Sequence, residues 1–278
     1  MQVNATKVQV NATKVQVNAT KVQVNATKVQ VDATKVQVDA IKVQVNAIKV
    51  QVNATNKYKI NIMPRIQLAY PKIPGSKNYP SGRCIAFEKY DGTNLHWVWE
   101  FELGWYGFGT RRDRFDFDEK GIADFNAAHP GLEAAHSIFQ TLFATPLDKL
   151  FQENPIYNSP EITVFTEFFG ASSFAGMHKP DEPKQLILFD VETNRGIVPP
   201  EQFVQDFSDL AIARVVYRGK LTGQFVEDVR AGKYSVAEGV VCKGGNSPVD
   251  LWMVKIKTNA YMKKLQQAFQ DDWENYWE

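Results

Sequence analysis

Residues 1–56 are eight tandem copies of one seven-residue unit, VQVNATK, with changes limited mainly to Asn/Asp and Thr/Ile exchanges. The valines lie two residues apart, whereas a coiled coil needs apolar residues spaced three and four apart. Strand-like alternation also fails, because an odd period of seven moves the apolar face to the opposite side in each copy. We therefore expect a disordered or weakly β-prone extension at 1–56 and globular structure at 57–278.

Charge divides unevenly between the repeat and the globular body. The repeat holds seven lysines and two aspartates, so the body keeps 25 of 32 basic and 29 of 31 acidic side chains. An acidic body that binds nucleic acid must concentrate its positive charge in one groove. One lysine per heptad could add salt-dependent attraction to RNA, although we favour a merely solvated tail.

The cysteines and the apolar segments favour a cytoplasmic protein. Cys84 and Cys242 lack CxxC spacing, which favours reduced thiols. No stretch approaches the length of a membrane span, and the N-terminus has no apolar signal core. The histidines show no metal-ligand spacing, so we interpret them as structural or surface residues: His96, His129, His136 and His178.

Strand-like and helix-like segments alternate irregularly in the body, which predicts an α+β domain of mostly antiparallel sheets with flanking helices. Predicted helices cover 131–152, 200–209 and 259–274. Predicted strands cover 84–89, 94–103, 162–169, 185–192, 214–221, 236–243 and 251–257.

Lys89 stands where a predicted strand meets a tight Asp-Gly turn, in the segment KYDGTN (89–94). A lysine at such an edge is poorly placed for packing and well placed for chemistry. Its ammonium must lose a proton to act as a nucleophile, which burial and neighbouring cations make easier. The alternative is an ordinary hairpin whose turn carries a lysine, so this motif alone is only suggestive.

Four further polar clusters follow at strand ends. Alternation puts Lys255 and Lys257 on one strand face, where two cations repel unless an anion such as phosphate joins them. An exposed edge-strand face is the structural alternative for this pair. Each acid also has a structural interpretation, as an exposed face, a turn residue or a strand start: Glu167 in EFFG, Asp190 in LFD and Glu238 in EGVV.

In this order, KxDG, EFFG, LFD, EGVV and KxK resemble the motif series of covalent nucleotidyltransferases, which include ATP- and NAD-dependent ligases and messenger-RNA capping enzymes. The chain is most similar to ATP-dependent RNA ligases of the RNA ligase 2 and RNA-editing ligase group, over about residues 66–258. Asn94 favours RNA over DNA, because DNA ligases and capping enzymes usually have arginine there. The resemblance implies a nucleotidyltransferase (ATP-grasp-like ligase) domain at 57–278.

The resemblance also implies a mechanism. Lys89 attacks the α-phosphate of ATP to form lysyl-AMP, AMP passes to an RNA 5′-phosphate, and a 3′-hydroxyl displaces it. Lys255 and Lys257 would bind the α-phosphate, neutralise transition-state charge and lower the pKa of Lys89. Glu238 and Asp91 would hold Mg²⁺, or alternatively Mn²⁺.

Further implied roles cover the nucleotide and the RNA. Phe189 would stack on adenine, Glu167 would hold the ribose and Glu88 would lie near the adenine edge. The resemblance implies that Arg111 contacts phosphate, with Arg112 as a possible substitute. It also implies that Asn94 and Arg111 serve the RNA-dependent steps.

Only 21 residues follow Lys257, so we expect the C-terminal domain with which many ligases clamp nucleic acid to be absent. A protein partner could supply that RNA-binding domain, and self-adenylation is a safer expectation than strand sealing. A minimal adenylyltransferase and another polynucleotide ligase or capping-like enzyme remain alternatives. A non-catalytic RNA-binding protein is disfavoured because Lys89, Glu238 and both motif lysines are present. The RNA substrate, with its 5′-phosphate and 3′-hydroxyl, could be a nicked duplex, a tRNA or single strands.

Overall fold

The structure, a computed structural model, describes residues 70–171, 179 and 181–269, and positions 16, 18–23, 25 and 28 of the repeat. The chain divides into two units, residues 1–66 and 67–278. In the first unit the described positions are helical, and the Thr20 hydroxyl donates to the Gln16 carbonyl at 2.9 Å.

This helical backbone differs from the irregular or weakly β-prone chain expected at those positions. A helix satisfies its backbone hydrogen bonds within its own segment, so it does not need the constant apolar face that a strand pairing requires. For the other residues of the repeat, the prediction lies outside the described residues.

The second unit contains ten described strands, all paired antiparallel. They are β1 Arg83–Lys89, β2 Thr93–Glu100, β3 Gly104–Thr110, β4 Phe115–Asp116, β5 Ile162–Phe169, β6 Gln185–Thr193, β7 Gly196–Ile197, β8 Val215–Lys220, β9 Gly239–Gly244 and β10 Trp252–Lys257. The large sheet has the order β4-β3-β2-β5-β6-β7, and the small sheet has the order β10-β9-β1-β8.

Helical segments flank the sheets, which confirms the predicted α+β class. They are α1 Glu119–Ala128, α2 Ala135–Phe139, a π turn Gln140–Ala144, α3 Thr145–Glu153, a 3₁₀ turn Pro155–Tyr157, α4 Pro200–Phe207, α5 Gly223–Arg230 and α6 Asn259–Phe269. The predicted helix 131–152 corresponds to α2, the π turn and α3, and the last residues of predicted helix 259–274 lie outside the described part. Among the described residues, no helix has the length and apolarity needed to cross a membrane.

The sequence pattern missed β3, β4, β7, α1 and α5. Strand β3 contains three glycines, a residue depleted in strands. One of them has a packing reason, because a Cβ on Gly109 would lie 2.2 Å from the Asp113 carbonyl oxygen. Helix α5 has only eight residues, and the Thr222 side chain caps its first turn by accepting from the Phe225 amide.

Alternation along the strands separates a packed face from a face that carries polar groups. Trp97 of β2 points into the main core, where its ring stacks on Phe139 with 4.0 Å between centroids. Asn94 points to the opposite face, directly across from Glu167 of β5. The polar face of the large sheet therefore looks toward the small sheet, and the cavity described below lies between them.

The small sheet is divided in the same way. Its outer face packs on α5 through a second core that contains Val254 and Ile256. Both cysteines are also in this core, buried and without a disulfide. Lys255 and Lys257 alternate with these residues, which confirms that the two lysines share the other face.

Candidate active site

Lys89 is the last residue of β1 and lies beside the start of β9. The register of β1, β9 and β10 places Lys89 and Lys257 on either side of Gly239. A glycine is required there, because a Cβ on Gly239 would lie 2.0 Å from the Ile256 carbonyl oxygen. The three strands can therefore approach closely enough to bring the two lysines to one carboxylate.

That carboxylate belongs to Glu238, the residue before β9. The Lys89 Nζ donates to Glu238 Oε2 at 2.8 Å, and the Lys257 Nζ lies 3.6 Å from Glu238 Oε1. The Glu238 side chain is 3% exposed and that of Lys89 is 27% exposed. The acid is thus buried between two ammonium groups, while the lysine of the first motif remains accessible.

The electrostatics around Lys89 contradict one expectation. Burial lowers the pKa of Lys89, but the carboxylates of Glu238, Glu167 and Asp91 outweigh this effect and the net pKa is raised. The predicted net lowering of the Lys89 pKa is therefore wrong, because the repulsion from Lys255 and Lys257 is outweighed by the carboxylates. Opposite charges at hydrogen-bond distance act more strongly on Lys89 than the more distant like charges.

The two lysines of β10 have lowered pKa values. For Lys255 the causes are burial followed by the positive charges of Lys257 and Lys89. For Lys257 burial is again the largest cause, and the nearby carboxylate of Glu238 opposes it. An added anion would relieve the repulsion among these three ammonium groups, so the cluster suits a phosphate.

Asp91 and Gly92 form the turn after Lys89. Asp91 is buried and accepts a hydrogen bond from the Tyr261 hydroxyl of α6 at 2.9 Å. A Cβ on Gly92 would lie 2.3 Å from the Phe168 carbonyl oxygen, so only glycine fits this close approach to β5. The KxDG spacing thus has a structural basis. The aspartate anchors the turn to α6, and the glycine lets the turn pack closely against β5.

Six of the residues predicted from the sequence line one cavity of about 260 Å³ between the two sheets. They are Glu88, Lys89, Asn94, Arg111, Glu167 and Phe189. Lys255, Lys257 and Glu238 are not among the residues that line the cavity. Arg111 lines the cavity and Arg112 does not.

Glu167 lies in the cavity wall and is half-buried. Burial raises its pKa to about 8, and the negative charges of Glu238 and Asp91 add to this, whereas Lys89 opposes it. The side chain is therefore largely protonated at neutral pH and can donate as well as accept a hydrogen bond.

Asp113 stabilises the turn that carries Arg111. The Asp113 carboxylate accepts from the Thr110 amide at 3.1 Å and from the Thr110 hydroxyl at 2.6 Å. It also pairs with His129 at 2.7 Å. His96 is buried, and its pKa is lowered to about 4 mainly by burial. His178 lies outside the described residues.

Three residues in or near the cavity were not selected from the sequence: Arg214, Tyr70 and Lys243. Arg214 pairs with Glu88 at 2.8 Å and fixes its carboxylate. The others form a buried chain in which the Tyr70 hydroxyl donates to Asp190 and Asp190 pairs with Lys243 at 2.7 Å. Tyr70 precedes the first predicted strand, where no pattern singles it out. Alternation along β9 could have placed Lys243 on the same face as Val241, toward the cavity.

Two carboxylates near Lys89 suit a divalent cation. Mg²⁺ commonly takes one or two carboxylates, phosphate oxygens and several waters. Glu238, which already holds two ammonium groups, and the neighbouring Asp91 form such a set. Within residues 70–171, 179 and 181–269, no cluster of three or more His, Cys, Asp or Glu side chains is arranged to hold a metal.

Comparison with solved structures gives a likeness in fold. An archaeal ATP-dependent RNA ligase (form 2) matches with a TM-score of 0.50 at 17% identity, covering 73% of this chain and 52% of the ligase. Form 1 of the archaeal ligase matches at 0.45 and 17%, covering 72% and 51%. A Naegleria gruberi RNA ligase variant with ATP and Mn matches at 0.45 and 13%, covering 71% and 62%.

At this level of identity the likeness shows the fold, which this chain shares with the archaeal ligase. The chain spans about half the length of that ligase. Neither the protein-family models nor the curated proteins contain a match. The roles of individual residues therefore depend on the site geometry and are proposals.

Proposed function

We propose that the chain is an ATP-dependent nucleotidyltransferase of the RNA ligase type, with Lys89 as the covalent nucleophile. The observation that supports this most is the position of Lys89: its amine opens into the cavity and pairs with Glu238, with Lys257 beside that acid. The shared fold with an archaeal RNA ligase agrees with this proposal.

In the first step the Lys89 Nζ forms a bond to the α-phosphorus of ATP. The bond from that phosphorus to the bridging oxygen breaks, pyrophosphate leaves, and the amine loses its proton to solvent. Because the pair with Glu238 raises the pKa of Lys89, this pair must loosen before attack. Lys255 and Lys257 neutralise the charge that develops on the phosphate.

The remaining residues bind the nucleotide. Phe189 stacks on adenine, Glu88 lies at its edge, and Glu167 holds the ribose hydroxyls. A carboxyl group that is protonated near neutral pH can donate one hydrogen bond to a ribose oxygen and accept another. Glu238 with Asp91 would hold Mg²⁺ or Mn²⁺, which when bound would offset phosphate charge.

In the second and third steps AMP moves from Lys89 to an RNA 5′-phosphate, and a 3′-hydroxyl then displaces AMP to form a phosphodiester. Asn94 and Arg111 line the cavity and are our candidates for contacts to the RNA phosphate. A protein partner that supplies RNA binding and a cytoplasmic location both remain predictions from the sequence.

The test is transfer of label from α-labelled nucleotides to the protein. We expect ATP with Mg²⁺ or Mn²⁺ to leave a label on the denatured wild-type chain, and chelation of the metal to abolish it. Labelling from GTP or NAD⁺ instead would indicate a capping-like enzyme or an NAD-dependent ligase, and no label from any nucleotide would contradict the proposal. Sealing of a nicked RNA duplex and of free single strands then separates a full ligase from a minimal adenylyltransferase.

A further inference from the structure

Residues 70–75, called the strap here, connect the two sheets across one side of the cavity. At one end the Tyr70 ring contacts Phe165 and Phe189 of the large sheet edge-on, with centroids 5.1 and 5.0 Å away. At the other end Gly75 forms a bridge with Lys255, whose amide donates to the Pro74 carbonyl at 3.0 Å. Three strap residues, Tyr70, Pro71 and Ile73, line the cavity.

Phe189 lies where the strand ladder does not fix it. In the pairing of β5 with β6, Phe165 is opposite Asp190 and Thr166 is opposite Leu188, so Phe189 is the extra residue of a bulge. A bulged residue leaves the regular ladder, and its side-chain direction depends on local contacts. Those contacts decide how the Phe189 ring is presented to the cavity.

Two buried side chains supply these contacts. The Lys243 Nζ donates to the Phe189 carbonyl at 2.8 Å and pairs with Asp190 at 2.7 Å. The Tyr70 hydroxyl donates to the other oxygen of Asp190, and its ring packs edge-on against Phe189. Asp190 and Lys243 are 1% and 3% exposed, so water cannot replace either partner easily.

We infer that Tyr70 is a positioning residue that sets the orientation of Phe189, and through it the affinity for the nucleobase. This inference rests on the proposed function, in which Phe189 stacks on adenine. The hydroxyl of Tyr70 anchors the strap to Asp190, and its ring supports one edge of the Phe189 ring. Lys89 and Glu238 take no part in the contacts among Tyr70, Asp190, Lys243 and Phe189.

The variant Tyr70→Phe keeps the ring and removes the hydrogen bond to Asp190. We expect the KM for ATP in self-adenylation to rise roughly three- to tenfold, the range expected for one lost hydrogen bond, with kcat changed less than about twofold. Inhibition by tripolyphosphate, which has no base, should be unchanged. Tyr70→Ala should raise the KM further, because it also removes the ring contact.

Tyr157→Phe is the matched control. The Tyr157 hydroxyl donates to Asp206 at 2.5 Å in a second, partly buried tyrosine–aspartate pair, and neither residue lines the cavity. This variant should lower the unfolding temperature without changing the KM. An unchanged KM in Tyr70→Phe, a loss confined to kcat, or an equal loss of tripolyphosphate binding would overturn the inference. Absence of label in the wild type would instead refute the proposed function, and this inference with it.

Discussion

Two lysine–carboxylate pairs lie on the same face of the small sheet. Their N–O distances are almost equal, but the two lysines differ in exposure and in the direction of their pKa shifts. Lys89 is 2.8 Å from Glu238, and Lys243 is 2.7 Å from Asp190. The Lys89 side chain is 27% exposed, whereas that of Lys243 is 4% exposed and lies over the rings of Phe87, Phe189 and Phe203. The first amine can reach a ligand, and the second is enclosed.

Their pKa values move in opposite directions. Burial lowers the pKa of Lys243, with Asp190 opposing it, while three carboxylates raise the pKa of Lys89 against the effect of burial. A lowered pKa alone would select Lys243 as the nucleophile. Access selects Lys89 instead, because the Lys243 amine is already engaged by Asp190 and the Phe189 carbonyl. We therefore assign chemistry to the open pair, Lys89 with Glu238, and positioning to the closed pair, Lys243 with Asp190.

The largest expected effect is on activity, at the open pair. Lys89→Met should reduce self-adenylation by roughly a thousandfold or more. It should change the unfolding free energy by about 1 kcal/mol or less, because the lysine is partly exposed and Glu238 keeps Lys257. Label transfer and urea unfolding measure the two quantities, with the exposed Lys220→Met as control. Full labelling of Lys89→Met would refute its role.

At the closed pair the larger expected effect is on stability. Lys243→Met leaves the Asp190 carboxylate buried without its cation, which should lower the unfolding free energy by about 3–5 kcal/mol. The double variant Lys243→Met with Asp190→Asn removes both charges and should recover part of this loss. Urea unfolding measures both. A loss below about 1 kcal/mol in the single variant would show that the pair does not support the fold.

An intermediate effect is expected from pH, through Glu167 in the cavity wall beside the open pair. Burial raises the pKa of Glu167 from 4.5 to about 8, so between these values the folded chain keeps a proton that the unfolded chain has lost. Stability should therefore fall as pH rises through this window, at a limiting slope of about 1.4 kcal/mol per pH unit from this group. Above pH 8 the contribution should be constant.

Glu167→Gln removes this titration. The difference in unfolding free energy between variant and wild type should therefore grow from pH 5 to pH 8 in favour of the variant. The exposed Glu102→Gln serves as the control and should follow the wild type at every pH. Parallel curves for Glu167→Gln and wild type would show that Glu167 ionises normally in the folded chain.

The smallest effect on activity is expected from the repeat, which belongs to neither lysine–carboxylate pair. Deletion of residues 1–56 should leave the rate of self-adenylation unchanged within about twofold, because neither lysine pair involves the repeat. Label transfer at low and high salt measures this. A loss of activity in the truncated chain would show that the repeat contributes to the chemistry.

The sequence was sufficient for the residues whose type and order are dictated by chemistry. The irregular alternation of strand-like and helix-like segments predicted an antiparallel α+β fold, and six of the residues predicted from the motifs and their resemblance line one cavity. Alternation correctly placed Lys255 and Lys257 on one face. These successes depend on local pattern, which a strand converts directly into side-chain direction.

The features that the sequence could not predict depend on contacts between residues that are far apart in the chain. Tyr70 and Asp190 are 120 residues apart, and only the folded sheets show that they share a hydrogen bond. The pKa of Lys89 was predicted with the wrong sign, because the distance to Glu238 was unknown while the lysines of β10 were obvious in the sequence. The bulge at Phe189 likewise follows from register between two strands and cannot be read from one.

The most direct measurement is to locate the AMP group on the chain. The wild-type protein is incubated with ATP and Mg²⁺, digested under neutral to alkaline conditions and analysed by mass spectrometry for adenylated peptides. The account predicts AMP on Lys89 and unmodified Lys243, Lys255 and Lys257. AMP on Lys243 or on either lysine of β10, with Lys89 unmodified, would contradict the assignment of chemistry to the open pair.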